Sequence, residues 1–512
     1  MKPSNELFHL IKSLTKSEKR FFKLSSSIQS GEKNYFKLFD YIDTQSTYDE
    51  AALKNHFKKE RFIKHLPSEK NHLYKLILKS LRQFYGEQSI SSILKQEIKN
   101  IELLYNKALH KEAKKFLKRA KKMARENEEF YFAIELISWD KVLTEESYES
   151  GEFDVDLNNI IKEEAEIIEK LRNLAEYHIL YSRINSVFRS DGFTKNEEER
   201  NTVKEIENHH LIKGKNTALS TRAASICYYI QGLCAATNRN FELSQVKFNR
   251  VRDILDSHPK IKIDLGQRYV LTLFHLMQSY INANDFEMAQ EMINQIKDLK
   301  GKKGFNSLHL TLRINNILLS DQMNLYCSQG MFEKALEVLE SGFSENDELI
   351  ERSSKEQRIK FYFSTAYTYF GNAEYKKSLQ FLNEILNDNE QQLRQDIYSF
   401  ARILNLLLHY ELGNFEYLEY TSNSAIRYLN KTKRDHQIEN VFIKQIKKLA
   451  KTLTPIDTID IYKETLDQIQ QLLENENENE NVILDYIDIL SWLKSKISNQ
   501  KFSEVVAAKI KT

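Results

Sequence analysis

Chemistry at a protein site needs nucleophiles, ligands or acids at fixed spacings, and this 512-residue chain offers few candidates. Cys227 and Cys234 stand seven residues apart, which places two thiols on one helix face. No further ligand accompanies them, and core packing accounts for both, as it does for Cys327. Three thiols among apolar neighbours read as reduced, in a cytoplasmic setting. His56, His65 and His72 share a basic stretch without the Cys or Asp set that would complete a metal site, and His209 and His210 read as a surface pair. Gly301-Lys-Lys-Gly304 has neither the spacing nor the preceding strand of a phosphate loop. Metalloprotease, paired Cys-x-x-Cys and serine-elbow patterns do not occur. The expectation is a protein that is not an enzyme, with no metal and no cofactor.

The elements that would carry any site are helices. Four Pro and 13 Gly are too few for the turns of an all-β or doubly wound fold of this size. With 41% hydrophobic and 29% charged residues the chain is expected to fold, and no apolar run of about 18 residues suggests a membrane span. The opening residues lack the apolar core of a signal peptide. Net charge is only +2, yet residues 1–126 hold 28 basic and 14 acidic side chains, so the rest of the chain is acidic. The basic end could meet a polyanion, a ribosome or an acidic protein surface, or its lysines could simply solvate helices.

Residues 1–88 read as a basic domain of short helices. Thr15-Lys-Ser-Glu18 and Thr47-Tyr-Asp-Glu50 have capping-box spacing, Lys33–Thr44 carries an aromatic stripe, and Leu66-Pro67-Ser68 opens a longer helix. From about residue 90 the helices lengthen and a repeat emerges. Asn240-Phe-Glu-Leu-Ser244, Asp285-Phe-Glu-Met-Ala289, Met331-Phe-Glu-Lys-Ala335, Glu374-Tyr-Lys-Lys-Ser378 and Asn414-Phe-Glu-Tyr-Leu418 each place an aromatic three residues before a position that is small in the first four. Each also begins an apolar-periodic helix. Leu109-His-Lys-Glu-Ala113 is an earlier copy without the aromatic. Beyond residue 430, Glu439–Lys451 and Ile459–Leu473 read as amphipathic helices. The acidic run Glu474–Asn481 reads as a solvated end, and Val482–Ile497 as a capping helix.

These segments resemble the tetratricopeptide repeat family, in which an aromatic and a small residue begin the second helix of each helix–turn–helix unit. The match is fullest over Phe361–Leu386, with Ala366 and Ser378 as the small pair and Leu382 and Ile385 as the plug. The spacing here exceeds that family's period of about 34 residues. The resemblance implies an all-α fold: a right-handed superhelix, or α-solenoid, of helical hairpins behind a small N-terminal helical domain. Divergent hairpins would fill 89–215, repeats 216–430 and capping helices 431–512.

In such superhelices the first helix of each unit lines the concave face. That maps Tyr229, Phe274, Gln278, Asn282, Ser320, Asn324, Lys360, Phe363 and Tyr367 to a peptide groove, where amides would bond a backbone and rings would take side chains. The four aromatics can equally be core between helices. The expected function is a scaffold or adaptor that holds a protein or peptide, without a membrane role. The alternative is a nucleic-acid-binding regulator whose head presents Lys54, Lys58, Lys59, Arg61, Lys64, Lys70 and Lys75 from two helices, Thr47–Phe57 and Pro67–Phe84.

Overall fold

A computed structural model describes residues 5–27, 34–151, 153, 157–194, 196–431, 437–452, 454–474 and 480–510, with the backbone alone at 27, 191, 343–351, 480 and 481. Every regular element among the described residues is helical, and helices pack chiefly on their neighbours in sequence. Contacts divide the chain into two compact units, Met1–Ala165 and Glu166–Thr512, and the division falls inside the long helix Leu157–Asp191.

In the first unit, Leu7, Ile11, Phe22, Leu38, Phe39, Leu53, Leu73 and Ile77 form an apolar core. The Thr15–Glu18 capping box closes as its spacing predicts. The Thr15 amide donates to Glu18 at 2.6 Å, and the Glu18 amide donates to the Thr15 hydroxyl at 3.3 Å. The second box does not form. Helix Glu50–His56 is capped by Asp49, whose carboxylate accepts from the Ala52 amide at 2.9 Å, two residues beyond the Glu50 amide that Thr47 would have capped.

The second unit carries five consecutive helical hairpins. Their first limbs are Thr221–Thr237, Gly266–Asn282, Leu308–Ser328, Lys355–Gly371 and Gln395–Glu411. Their second limbs are Phe241–Asp256, Phe286–Leu299, Phe332–Glu351, Tyr375–Leu386 and Phe415–Leu429. Each second limb thus begins at the aromatic of the repeat. One turn geometry recurs in all five. The residue two before the second limb is left-handed (Arg239, Asn284, Gly330, Ala373 and Gly413), and the next amide bonds back to a carbonyl five residues earlier at 2.9 Å. Only two of the five are glycine, so the turn is imposed by limb packing rather than by backbone freedom. The small residues sit where limbs approach most closely: Ser244, Ala289, Ala335 and Ser378 are fully buried. A side chain at Gly232 would strike the Phe248 ring at 2.8 Å.

After the hairpins come helices Gln437–Leu449 and Pro455–Glu474, close to the expected segments. The acidic run lies mostly outside the described residues. Val482–Ile497 is not one helix: a short 3-10 turn, Glu480–Asp485, precedes helix Ile489–Ser498. Helix Phe502–Lys509, which the sequence pattern did not suggest, follows it and sets Phe502 against Phe332 and Phe370, each at 5.5 Å between ring centroids.

Candidate functional site

The first limbs of the middle hairpins are helices whose residues three and four apart share a face. Phe274, Gln278 and Asn282 make such a stripe on the second hairpin, Asp321, Asn324 and Ser328 on the third, and Lys360, Phe363 and Tyr367 on the fourth. Together they wall a cavity of about 410 Å³ in the second unit. The C-terminal segment supplies another wall through Asp485, Tyr486, Asp488 and Lys509. The limb of the third hairpin contains a π-helical turn, Ile317–Asp321, that ends at the cavity, a distortion often found at functional sites.

Of the groove candidates, Phe274, Gln278, Asn282, Asn324, Lys360, Phe363 and Tyr367 come together here. Tyr229 and Ser320 are not among the walls. The Tyr229 ring is core, with its hydroxyl 3.1 Å from Nε2 of His275, and Ser320 is buried with an unbonded hydroxyl. Phe274 and Phe363 are themselves buried, so they serve core and cavity at once.

The charged groups around the cavity are largely paired. Arg394 grips Asp396 through Nε at 2.9 Å and Nη2 at 2.5 Å, and Tyr486 joins both at 2.6 Å. Burial opposes the Arg394 charge, but Asp396 outweighs it and holds the guanidinium firmly protonated. Glu356 receives Arg189, with Lys360 at 3.6 Å and Arg394 at 3.9 Å. Burial favours its neutral form, yet those three cations hold its carboxyl down at about 2. Lys360 lies 5.1 Å over the Phe274 ring, and burial lowers its pKa with help from Arg394.

Asp321 differs. Only 6% exposed, it accepts from the Gln278 amide at 2.9 Å, and burial pushes its pKa up to about 7 against the pull of Lys360 and Arg394. His275 is buried and stacked on Phe248 at 4.8 Å, and burial pushes it down to about 3, so it stays neutral. Asp321, His275, Arg394 and Tyr486 were not singled out from sequence. A charged residue on an apolar-periodic limb, as at Asp321, is the one signal that could have marked any of them. Cys327 also lines the cavity, but burial pushes its thiol up to about 12, so no thiolate is available there. Among the described residues no cluster of three His, Cys, Asp or Glu is placed to hold a metal ion.

The basic candidates belong to the first unit. Lys58, Lys59, Arg61, Lys64 and Lys75 are exposed and make no ion pair among the described residues. Lys70 and Lys54 are tied instead to Glu50, at 2.7 and 2.9 Å. Compared with protein-family models and with curated proteins, the chain matches none of either.

Proposed function

We propose that the protein is an adaptor: a tetratricopeptide-like superhelix, working in the cytoplasm, whose cavity holds a segment of another polypeptide. The observation that carries this reading is the meeting of three side-chain amides (Gln278, Asn282 and Asn324) with the Phe274, Phe363 and Tyr367 rings in one cavity. Amides can satisfy the backbone groups of an extended segment, while rings accept its apolar side chains.

The test is affinity purification from source-cell lysate with the wild type and with Asn282→Ala/Asn324→Ala, compared by quantitative mass spectrometry. A partner retained by the first and depleted at least tenfold with the second supports the reading. Identical partner sets refute it. A second reading, a polyanion-binding head, draws on a different observation: Lys58, Lys59, Arg61 and Lys64 are exposed along the stretch from the end of helix Glu50–His56 through the 3-10 helix Arg61–His65.

A further inference from the structure

Placing the five hairpins in register at their small-residue position exposes a ladder of charge. Arg222, Arg268 and Arg313 stand 22, 21 and 22 residues before Ser244, Ala289 and Ala335. In the next two hairpins the same rung, 22 residues before Ser378 and Leu418, is acidic: Glu356 and Asp396. The first limbs therefore bear a column of five ionised groups, three cations followed by two anions.

Three of the five groups have a counter-charge close by. Arg222 reaches Asp264 at 2.5 Å, Glu356 takes Arg189, and Asp396 takes Arg394. The remaining rungs divide differently. Arg268 bonds only the Ser225 hydroxyl, at 3.1 Å. Arg313 has a buried Nε with no hydrogen-bond partner. No carboxylate lies within ion-pair distance of either among the described residues. Both are half-buried, and burial lowers the pKa of each, with Arg222 adding repulsion at Arg268 and Arg189 at Arg313, where Glu356, beyond ion-pair distance, pulls the other way. Arg268 also stands in the first turn of its helix, where the dipole disfavours a cation. A desolvated guanidinium without a counter-ion costs stability, and such costs are kept where a ligand offsets them.

We propose that Arg268 and Arg313 form an oxyanion site that takes an acidic side chain of the bound polypeptide. This rests on the adaptor reading and adds the charge of its partner. A guanidinium presents a planar fork of donors matched to carboxylate and phosphate oxygens, and the orphaned Nε of Arg313 is one such donor. Arg268 lies two turns before His275, on the limb that also lines the cavity, so one extended segment can reach both places. A cationic occupant is disfavoured by the two unpaired guanidinium groups.

The experiment uses the whole chain and two fluorescein-labelled octapeptides, (Glu-Gly)4 and (Gln-Gly)4, read by fluorescence anisotropy, with inorganic phosphate as competitor. The glutamate peptide should bind at least tenfold tighter than the glutamine peptide. Arg268→Gln/Arg313→Gln should remove that preference, and Arg268→Lys/Arg313→Lys should restore part of it. The ligand-free glutamine variant should melt no lower than the wild type, because it sheds unpaired buried charge, which keeps misfolding from imitating the result. Displacement by phosphate below the millimolar range would identify free phosphate as the better source of the same oxyanion and would support the site. Equal binding of the two peptides, or a preference that survives in the double glutamine variant, overturns the proposal. If the glutamine peptide binds and Asn282→Ala/Asn324→Ala alone abolishes it, the adaptor reading stands and the oxyanion site fails. If neither peptide nor phosphate binds the wild type, the oxyanion site is refuted.

Discussion

The two units handle charge in opposite ways. The first unit keeps an apolar core and turns its lysines outward; Lys58, Lys59, Arg61 and Lys64 meet water. Among its partly sheltered knots is Glu50, which Lys70 and Lys54 hold down at about 2; Lys121 with Asp140 and Glu163 makes another. The second unit buries charge among its limbs, with Arg394 and Asp396 at 5% and 1% exposure. Surface charge costs almost nothing to keep and contributes little to stability. Buried charge demands a partner with good geometry, and removing the partner is far worse than never having buried the pair. On the adaptor reading, specificity belongs to the second unit and long-range attraction to the first.

The sharpest way to break the contrast is Asp396→Ala. It strands Arg394 inside the protein, and a loss of about 3–5 kcal/mol in urea unfolding is expected. A loss below about 1 kcal/mol would mean the pair is not desolvated in solution. A smaller effect, with a pH signature, is expected at Asp321. Its pKa is raised in the folded state to about 7 from 3.8, so folded protein holds an extra proton between those values. Stability from this group is complete below pH 4 and is lost as pH rises through 7. Asp321→Asn keeps the acceptor for Gln278 but cannot ionise. It should therefore stabilise the protein at pH 8 by up to a few kcal/mol, at about 1.4 kcal/mol per pKa unit, and much less at pH 5. Equal shifts in melting temperature at both pH values would remove Asp321 from the buried set.

The smallest stability effect is expected at the other unit. Lys58→Glu/Lys59→Glu should change unfolding free energy by less than about 0.5 kcal/mol, since both side chains already sit in water. Any binding to random-sequence duplex DNA should nonetheless fall in this variant and weaken as salt rises. Duplex binding unchanged by the two substitutions would reduce the exposed lysines to solvation.

The hairpins were legible because aromatic and small residues recur at a nearly fixed spacing, and every second limb starts at that aromatic. The turn itself was not legible. Arg239, Asn284 and Ala373 adopt the left-handed conformation without glycine; asparagine favours it, but nothing local announces it at Arg239 or Ala373. At the cavity, seven positions were reached by mapping the inner-helix places that the tetratricopeptide resemblance implies. Asp321 and Tyr486 were not, because one depends on a π-helical turn and the other on a segment returning from the far end of the unit. Tyr229 shows the limit from the other side: the right helix and the right turn, but rotated into the core against His275. Thr47 was displaced as a cap by Asp49 because a carboxylate one position before the helix has the better reach.

The cavity wall contributed by Tyr486, Val506 and Lys509 has a consequence during synthesis. The hairpins can form in order as they leave the ribosome, each on the one before. The cavity cannot, because its last wall is made long after its first. At about 5–20 residues per second, the wait between Phe274 and Lys509 is on the order of ten to fifty seconds. Through that interval the amides and rings of the limbs stand uncovered in a nascent chain. Closure of the cavity is thus a late event in the synthesis of this unit, and a ribosome stalled before Tyr486 would display the limbs without that wall.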